Sequence, residues 1–149
     1  MQCQTSYTAS FANGHSLMVW FKPNYLASNI NILFSHGLHY ISFHFSGNRP
    51  FHSARINGVQ ISINGNTVVS IGNWYLITGT FDNTNLKVYL NDKLDGILNN
   101  PGSDTIDSSC RIGLHRWGSY ASNGLIDEVR IYNRALSDQE IKALYEATK

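Results

Sequence analysis

Charge is scarce in this chain. Asp, Glu, Lys and Arg make up 14% of its 149 residues, against about 25% in an average soluble domain. Net charge is +1, and no run of Lys and Arg occurs. A nucleic-acid-binding surface or a polybasic membrane patch needs concentrated positive charge, so neither partner is expected. Apolar runs are also short, well below the roughly 18 residues of a membrane-spanning helix, and no membrane insertion is expected. The opening Met1-Gln2-Cys3-Gln4-Thr5 lacks the basic start and apolar stretch of a signal peptide, so none is expected here. Cysteine is limited to Cys3 and Cys110. No Cys-x-x-Cys exists, which excludes a thiolate zinc site. Two readings of the pair stay open: a disulfide tying the N-terminus to a late strand, or two thiols packed as small apolar groups.

Asn, Ser and Gly fill the space that charge leaves, the habit of β proteins with polar, uncharged turns. The length suits one domain over residues 1–149, able to bury roughly 68–70% of its unfolded surface. Short strands separated by turn residues run from Ser16 to Tyr132 at the spacing of a sandwich. Leu17 to Lys22 is apolar on both parities and stops at Pro23, which predicts a central strand covered on both faces. Asn31 to Ser35 follows, then Tyr40 to Ser46, where Ile41, Phe43 and Phe45 alternate with Tyr40, Ser42, His44 and Ser46, giving a dry and a wet side. Asn57-Gly58 and Asn64-Gly65-Asn66 punctuate two weaker strands. Tyr75 to Phe81 and Leu86 to Leu90 flank a four-residue hairpin loop, Asp82-Asn83-Thr84-Asn85. The period then changes: Ser137-Asp138-Gln139-Glu140 is a capping box, followed by Ile141, Leu144 and Tyr145 on one helical stripe. The fold class is all-β, with Phe43, Phe45, Val88, Leu90, Val129 and Ile131 expected in the core.

The segment Gly124-Leu125-Ile126-Asp127-Glu128-Val129-Arg130-Ile131-Tyr132-Asn133-Arg134-Ala135-Leu136-Ser137 and on to Ile141 resembles the C-terminal signature of the LamG-like (laminin G-like, concanavalin A-like) family. Asn73-Trp74-Tyr75 to Asp82 with Leu86-Lys87-Val88-Tyr89-Leu90 is similar to that family's central hairpin. Ser16 to Pro23 is similar to an early strand. The resemblance implies a two-sheet antiparallel jelly roll with a short C-terminal helix, here with a shortened N-terminal strand. It implies that Trp20 and Trp74 are structural, and that the protein works outside the cell or at its surface. It also implies that Asp127 can hold a structural calcium together with carbonyls from the chain's start. The competing role for Asp127 is to bond backbone amides where first and last strands meet.

Catalysis finds little support. Glycoside hydrolysis needs two carboxylates facing one site, whereas Asp127 and Glu128 are adjacent and should leave a regular strand on opposite faces. No catalytic residue is therefore assigned. His36-x-x-His39 with His44 has no nearby carboxylate to complete a transition-metal site. Sugar recognition combines aromatic faces with amide, imidazole or guanidinium groups. Two regions offer that set. One is the stretch with His115, Arg116, Trp117, Tyr120 and Asn123; the other is Tyr40 and His44 with Arg55 on the next strand. The reading is a noncatalytic carbohydrate-binding or adhesion module whose partner is a glycan or glycoprotein. The alternative is a structural or assembly domain of a surface or phage-type protein, and the third is a glycoside hydrolase. A poorly covered sheet edge beside the shortened first strand also predicts a homo-oligomer.

Overall fold

A computed structural model describes residues 2–3, 11–26, 31–36, 39–44, 48–104, 110–114 and 121–149, with the side chains of 2, 3, 31, 36 and 39–44 outside that description. The strands are β1 (Gln2–Cys3), β2 (His15–Pro23), β3 (Asn31–His36), β4 (His39–His44), β5 (Arg49–Ile56), β6 (Val59–Asn64), β7 (Tyr75–Phe81), β8 (Asn85–Leu90), β9 (Lys93–Asn99), β10 (Cys110–Ile112) and β11 (Gly124–Tyr132), followed by helix α1 (Asp138–Thr148). They form a six-stranded sheet in the order β1-β10-β3-β4-β5-β6 and a five-stranded sheet in the order β11-β2-β7-β8-β9. Every pairing between these strands is antiparallel, as alternation on separate strands predicts.

β2 is covered on both faces, as its unbroken apolar run requires. Leu17, Val19 and Phe21 point between the sheets, where they meet Leu33, Phe34, Ile77, Val88 and Leu90. Met18 and Trp20 point outward and pack with Leu76, Tyr89, Leu136 and Ile141 beneath α1. Both ends of the helical segment are stitched to the strand. Ser16 Oγ donates to Arg134 O at 2.9 Å and accepts from Leu136 N at 2.8 Å, while Trp20 Nε1 donates to Thr148 Oγ1 at 2.8 Å. Tyr89, buried in the same layer, donates its phenol to Asp138 Oδ1 at 2.7 Å. Burial first, and then the Asp138 carboxylate, push that phenol above its usual range.

The capping box is present: Ser137 accepts from Glu140 N, and Glu140 accepts from Ser137 N. Glu140 also takes two hydrogen bonds from the Arg134 guanidinium, at 2.6 and 2.9 Å. The hairpin turns follow their chemistry: Asn57 and Gly58 have φ of 51° and 79°, and Asn91 has φ of 58°, left-handed positions that Asn and Gly tolerate best.

The core expectation needs one correction. Val88 and Leu90 are buried and Val129 packs against the inter-sheet core, but Ile131 stays 38% exposed. It stands opposite Leu17, yet β11 is an edge strand and covers it on one side only. Phe43 lies among the side chains outside the description and Phe45 outside the described residues. Among the described residues, β1 pairs with β10 rather than with β11.

Two tests follow from this packing. Val88→Asp places a carboxylate without a partner between the sheets and should yield unfolded or insoluble protein; a soluble variant with an unchanged melting temperature would contradict the assigned facing. The Arg134 guanidinium, and then the Ser137 amide, hold the Glu140 carboxyl down from 4.5 to about 2. A depressed carboxyl stabilises the fold fully above its unfolded value and loses that effect as pH falls toward the folded value. Glu140→Gln should therefore be less stable than the parent at neutral pH, and the gap in denaturation midpoint should close between about pH 4.5 and pH 2.

Candidate functional site

Trp20 sits on the outward face of β2, opposite Leu76 on β7 and opposite Asp127 on β11. Two further features open a pocket there instead of a sealed helix–sheet interface. The first is a break in β11. The register shifts between Asp127 and Arg130, and Glu128 takes a left-handed φ of 51°, the signature of a bulge that re-aims side chains. Asp127 Oδ1 accepts from Glu128 N at 2.8 Å and so fixes the irregular backbone. The second is Trp74, just before β7, which keeps 42% of its surface exposed.

The resulting cavity, of about 440 Å3, is lined by Trp20, Trp74, Asp127, Glu128, Tyr145, Thr148 and Lys149. Its floor is rigid. Trp20 stacks on Tyr145 with ring centroids 5.6 Å apart and planes 24° apart, and the Lys149 ammonium lies 5.6 Å from the Tyr145 centroid, within cation–π range. Glu128 Oε2 accepts from Arg130 Nε at 3.0 Å and Nη2 at 2.5 Å, and this pairing raises the guanidinium's pKa above its usual range. Lys149 is paired with Glu146, which raises its pKa. Asp127 has no cationic partner among the described residues, so one negative charge in the pocket is left unmatched. Asp127 and Glu128 thus bring carboxylate oxygens to a pocket that Trp74 also lines. A second hollow of about 530 Å3 at the β8–β9 turn shares only Tyr145 with the first.

The sequence expectations map unevenly onto this geometry. His115, Arg116, Trp117 and Tyr120 lie outside the described residues. Asn123 is described and exposed, and its carbonyl accepts from Asn24 N at 3.0 Å. The backbones of Tyr40 and His44 pair with Ser53 and Arg49 in the six-stranded sheet, away from the pocket, and their side chains are outside the description. Arg55 is exposed and donates from Nε to Gly58 O at 3.0 Å.

Two expectations are corrected. Trp20 is structural, 7% exposed, but Trp74 is a surface group and not a core one. Asp127 and Glu128 line the same pocket, because the bulge cancels the alternation that would separate them. Glu128, Tyr145, Thr148 and Lys149 were not legible as site residues: a bulge leaves no periodic signature, and helix docking joins positions far apart in sequence. For calcium, the donor set at Asp127 is thin. Among the described residues no group of three or more His, Cys, Asp or Glu is placed to hold a metal ion, and calcium takes six to eight oxygens. The carbonyls are expected from the chain's start, where residues 1 and 4–10 lie outside the described residues.

The two tryptophans should separate cleanly in a stability measurement. Trp20→Ala should cost about 3–5 kcal/mol, as truncation of a buried large aromatic does. Trp74→Ala should stay within about 0.5 kcal/mol of the parent, as an exposed substitution does. Urea denaturation of both variants checks this, and equal losses would return Trp74 to the core.

A family model described as the concanavalin A-like lectin/glucanases superfamily matches residues 2–142. No curated protein matches the chain in sequence. Among solved structures, the sialidase carbohydrate-binding module CBM40 of Ruminococcus gnavus, bound to α2,3-sialyllactose, aligns with a TM-score of 0.75 at 17% identity, over 90% of this chain and 83% of its own. A heptameric pentraxin of Limulus polyphemus aligns with a TM-score of 0.74 at 15% identity, over 92% and 71%. Domain 4 of AbnA, an extracellular arabinanase of Geobacillus stearothermophilus, in complex with arabinotriose, aligns with a TM-score of 0.69 at 21% identity, over 97% and 80%. At such identities the likeness establishes a shared fold.

Proposed function

The chain belongs to the concanavalin A-like lectin/glucanase superfamily, and on that premise we propose that it is a noncatalytic carbohydrate-binding module that works outside the cell. The observation that carries the reading is one pocket lined by an exposed Trp74, by Asp127 and Glu128, and by the stacked Trp20 and Tyr145. A pyranose or furanose ring presents an apolar C–H face to the indole and its hydroxyls to the carboxylate oxygens. The unmatched charge on Asp127 repels an anionic sugar, so the pocket takes neutral glycans in preference to sialylated ones. Glu128 is held by two hydrogen bonds from Arg130, an arrangement for a fixed acceptor rather than for the proton-donating acid that glycoside hydrolysis requires. The sialyllactose-bound and arabinotriose-bound relatives support glycan binding as the class of function, and the extracellular arabinanase supports the location.

Titration calorimetry with arabinotriose and with sialyllactose, repeated with calcium and with a chelator, tests the reading. A neutral glycan should bind and the sialylated one should bind more weakly. Trp74→Ala should reduce the affinity roughly tenfold or more, a loss of about 1.4 kcal/mol or greater. Unchanged binding by Trp74→Ala together with loss in Trp117→Ala would move the site to the 115–123 stretch. No binding across a broad glycan array, with multimers seen by light scattering, would favour the assembly-domain alternative.

A further inference from the structure

His15 at the start of β2 and His52 in β5 come from opposite sheets, and both are fully buried. Three contacts link them into a chain. His15 Nδ1 lies 2.5 Å from Asp104 Oδ2, His15 Nε2 lies 3.0 Å from His52 Nε2, and His52 Nδ1 lies 2.9 Å from Lys87 O. The Asp104 side chain is itself fully buried, held where residue 104 bridges to Ile56. The surroundings are dry: the rings of Phe11 and Phe81 flank His15 at 5.2 and 6.1 Å. Gly79 of β7 makes room for the other imidazole, because a Cβ there would stand 2.5 Å from the His52 ring.

Counting protons along this chain gives a definite result. A backbone carbonyl only accepts, so His52 Nδ1 carries a hydrogen. With His52 neutral its Nε2 is bare and accepts, so the proton in the Nε2–Nε2 contact belongs to His15. A further proton must lie between His15 Nδ1 and Asp104, since a nitrogen lone pair and a carboxylate oxygen cannot bond without one. The three contacts thus hold three protons, whereas a carboxylate and two neutral imidazoles bring only two.

We infer that the folded domain carries one additional proton in this buried network, and that the loaded network is a pH-sensitive clasp between the two sheets. With that proton the two imidazoles and the carboxylate are together electrically neutral, and each of the three contacts holds one hydrogen. Removing it leaves one contact without a hydrogen: either two imidazole lone pairs face each other or Asp104 loses its bond. Adding another sets two N–H donors against each other at 3.0 Å. Either error falls in a site without water access, where an unsatisfied polar group is costly. Among the described residues the adjoining strands also carry Lys22 on β2, Arg49 on β5, Tyr75 on β7 and Tyr89 on β8. Lys87 and Asp82 pair with each other at 3.9 Å near the β7–β8 turn, and Arg55 of β5 donates to Gly58 O. β4, whose Ile41 stands opposite His52, carries His39, Tyr40 and His44.

Histidine-selective 15N NMR on the intact chain tests the inference. At the pH of greatest stability, one of the two facing Nε2 atoms should carry a proton, with a 15N–15N coupling across the N–H···N bond. The denaturation midpoint should fall on both sides of that pH, within about pH 5 to 8. In Asp104→Asn the amide can itself donate to His15 Nδ1, so two neutral imidazoles satisfy all three contacts without an additional proton, and the fall of the midpoint on the alkaline side of the optimum should disappear. Should that variant fail to fold, the parent spectrum decides alone. Two bare Nε2 atoms in the parent at its stability optimum, or a midpoint flat across the same range, would overturn the clasp.

Discussion

Everything in this fold is organised by the burial of β2 on both of its faces. A strand with one wet face can be paired into a simple sandwich, but Met18 and Trp20 would then leave large apolar groups in water. The helix that follows β11 removes them. Its attachment points on β2, Ser16 and Trp20, are about 13 Å apart along the strand at roughly 3.3 Å per residue. The eleven residues of α1 span about 16 Å at 1.5 Å each. The helix is therefore long enough to run beside the strand and be fastened at each end. The same constraint positions the pocket, since the helix end that seals Trp20 also delivers Tyr145, Thr148 and Lys149 to its rim.

The pocket depends on irregularity where the rest of the sheet depends on regularity. A continuous β11 would have sent the Asp127 and Glu128 side chains to opposite faces. The bulge, held by Asp127's bond to the Glu128 amide, brings both to the pocket that Trp74 also lines. It also blunts β11 as an edge, because a twisted strand carrying the Glu128–Arg130 ion pair is a poor template for pairing with another chain. One local distortion thus serves both the site and the protection of the edge.

What could be read from the amino-acid order was what local physics controls. Period-two alternation placed Val88 and Leu90, Asn57-Gly58 announced its turn, and Ser137 with Glu140 announced the helix start. Trp20 and Trp74 share a residue type and a place in the family pattern, yet differ in exposure because only one lies under the helix. Ile131 keeps its apolar parity but not its burial, since edge position is a property of the sheet and not of the strand. The pairing of His15 with His52 was invisible for the same reason. It joins residues on different sheets, and neither the polar start of β2 nor the mixed pattern of β5 signals a buried imidazole.

The far edge of the sandwich is closed by a different device. After β6 the chain crosses to β9, where Asn66 N donates to Asp95 O at 3.1 Å and Thr67 Oγ1 donates to Asp95 Oδ1 at 2.6 Å. Gly65 lets the Asp95 carboxylate come close, since a Cβ there would stand 2.0 Å from it and force it to shift. Asp95 is the residue left over at the β8–β9 register shift, so its outward carbonyl is the group an incoming strand would seek first, and it is already occupied. A strand arriving at β9 would meet that carbonyl already bonded to Asn66. Leu94, Ile97 and Leu98 remain exposed along that strand, where the register shift and the occupied carbonyl interrupt the backbone as a template for pairing.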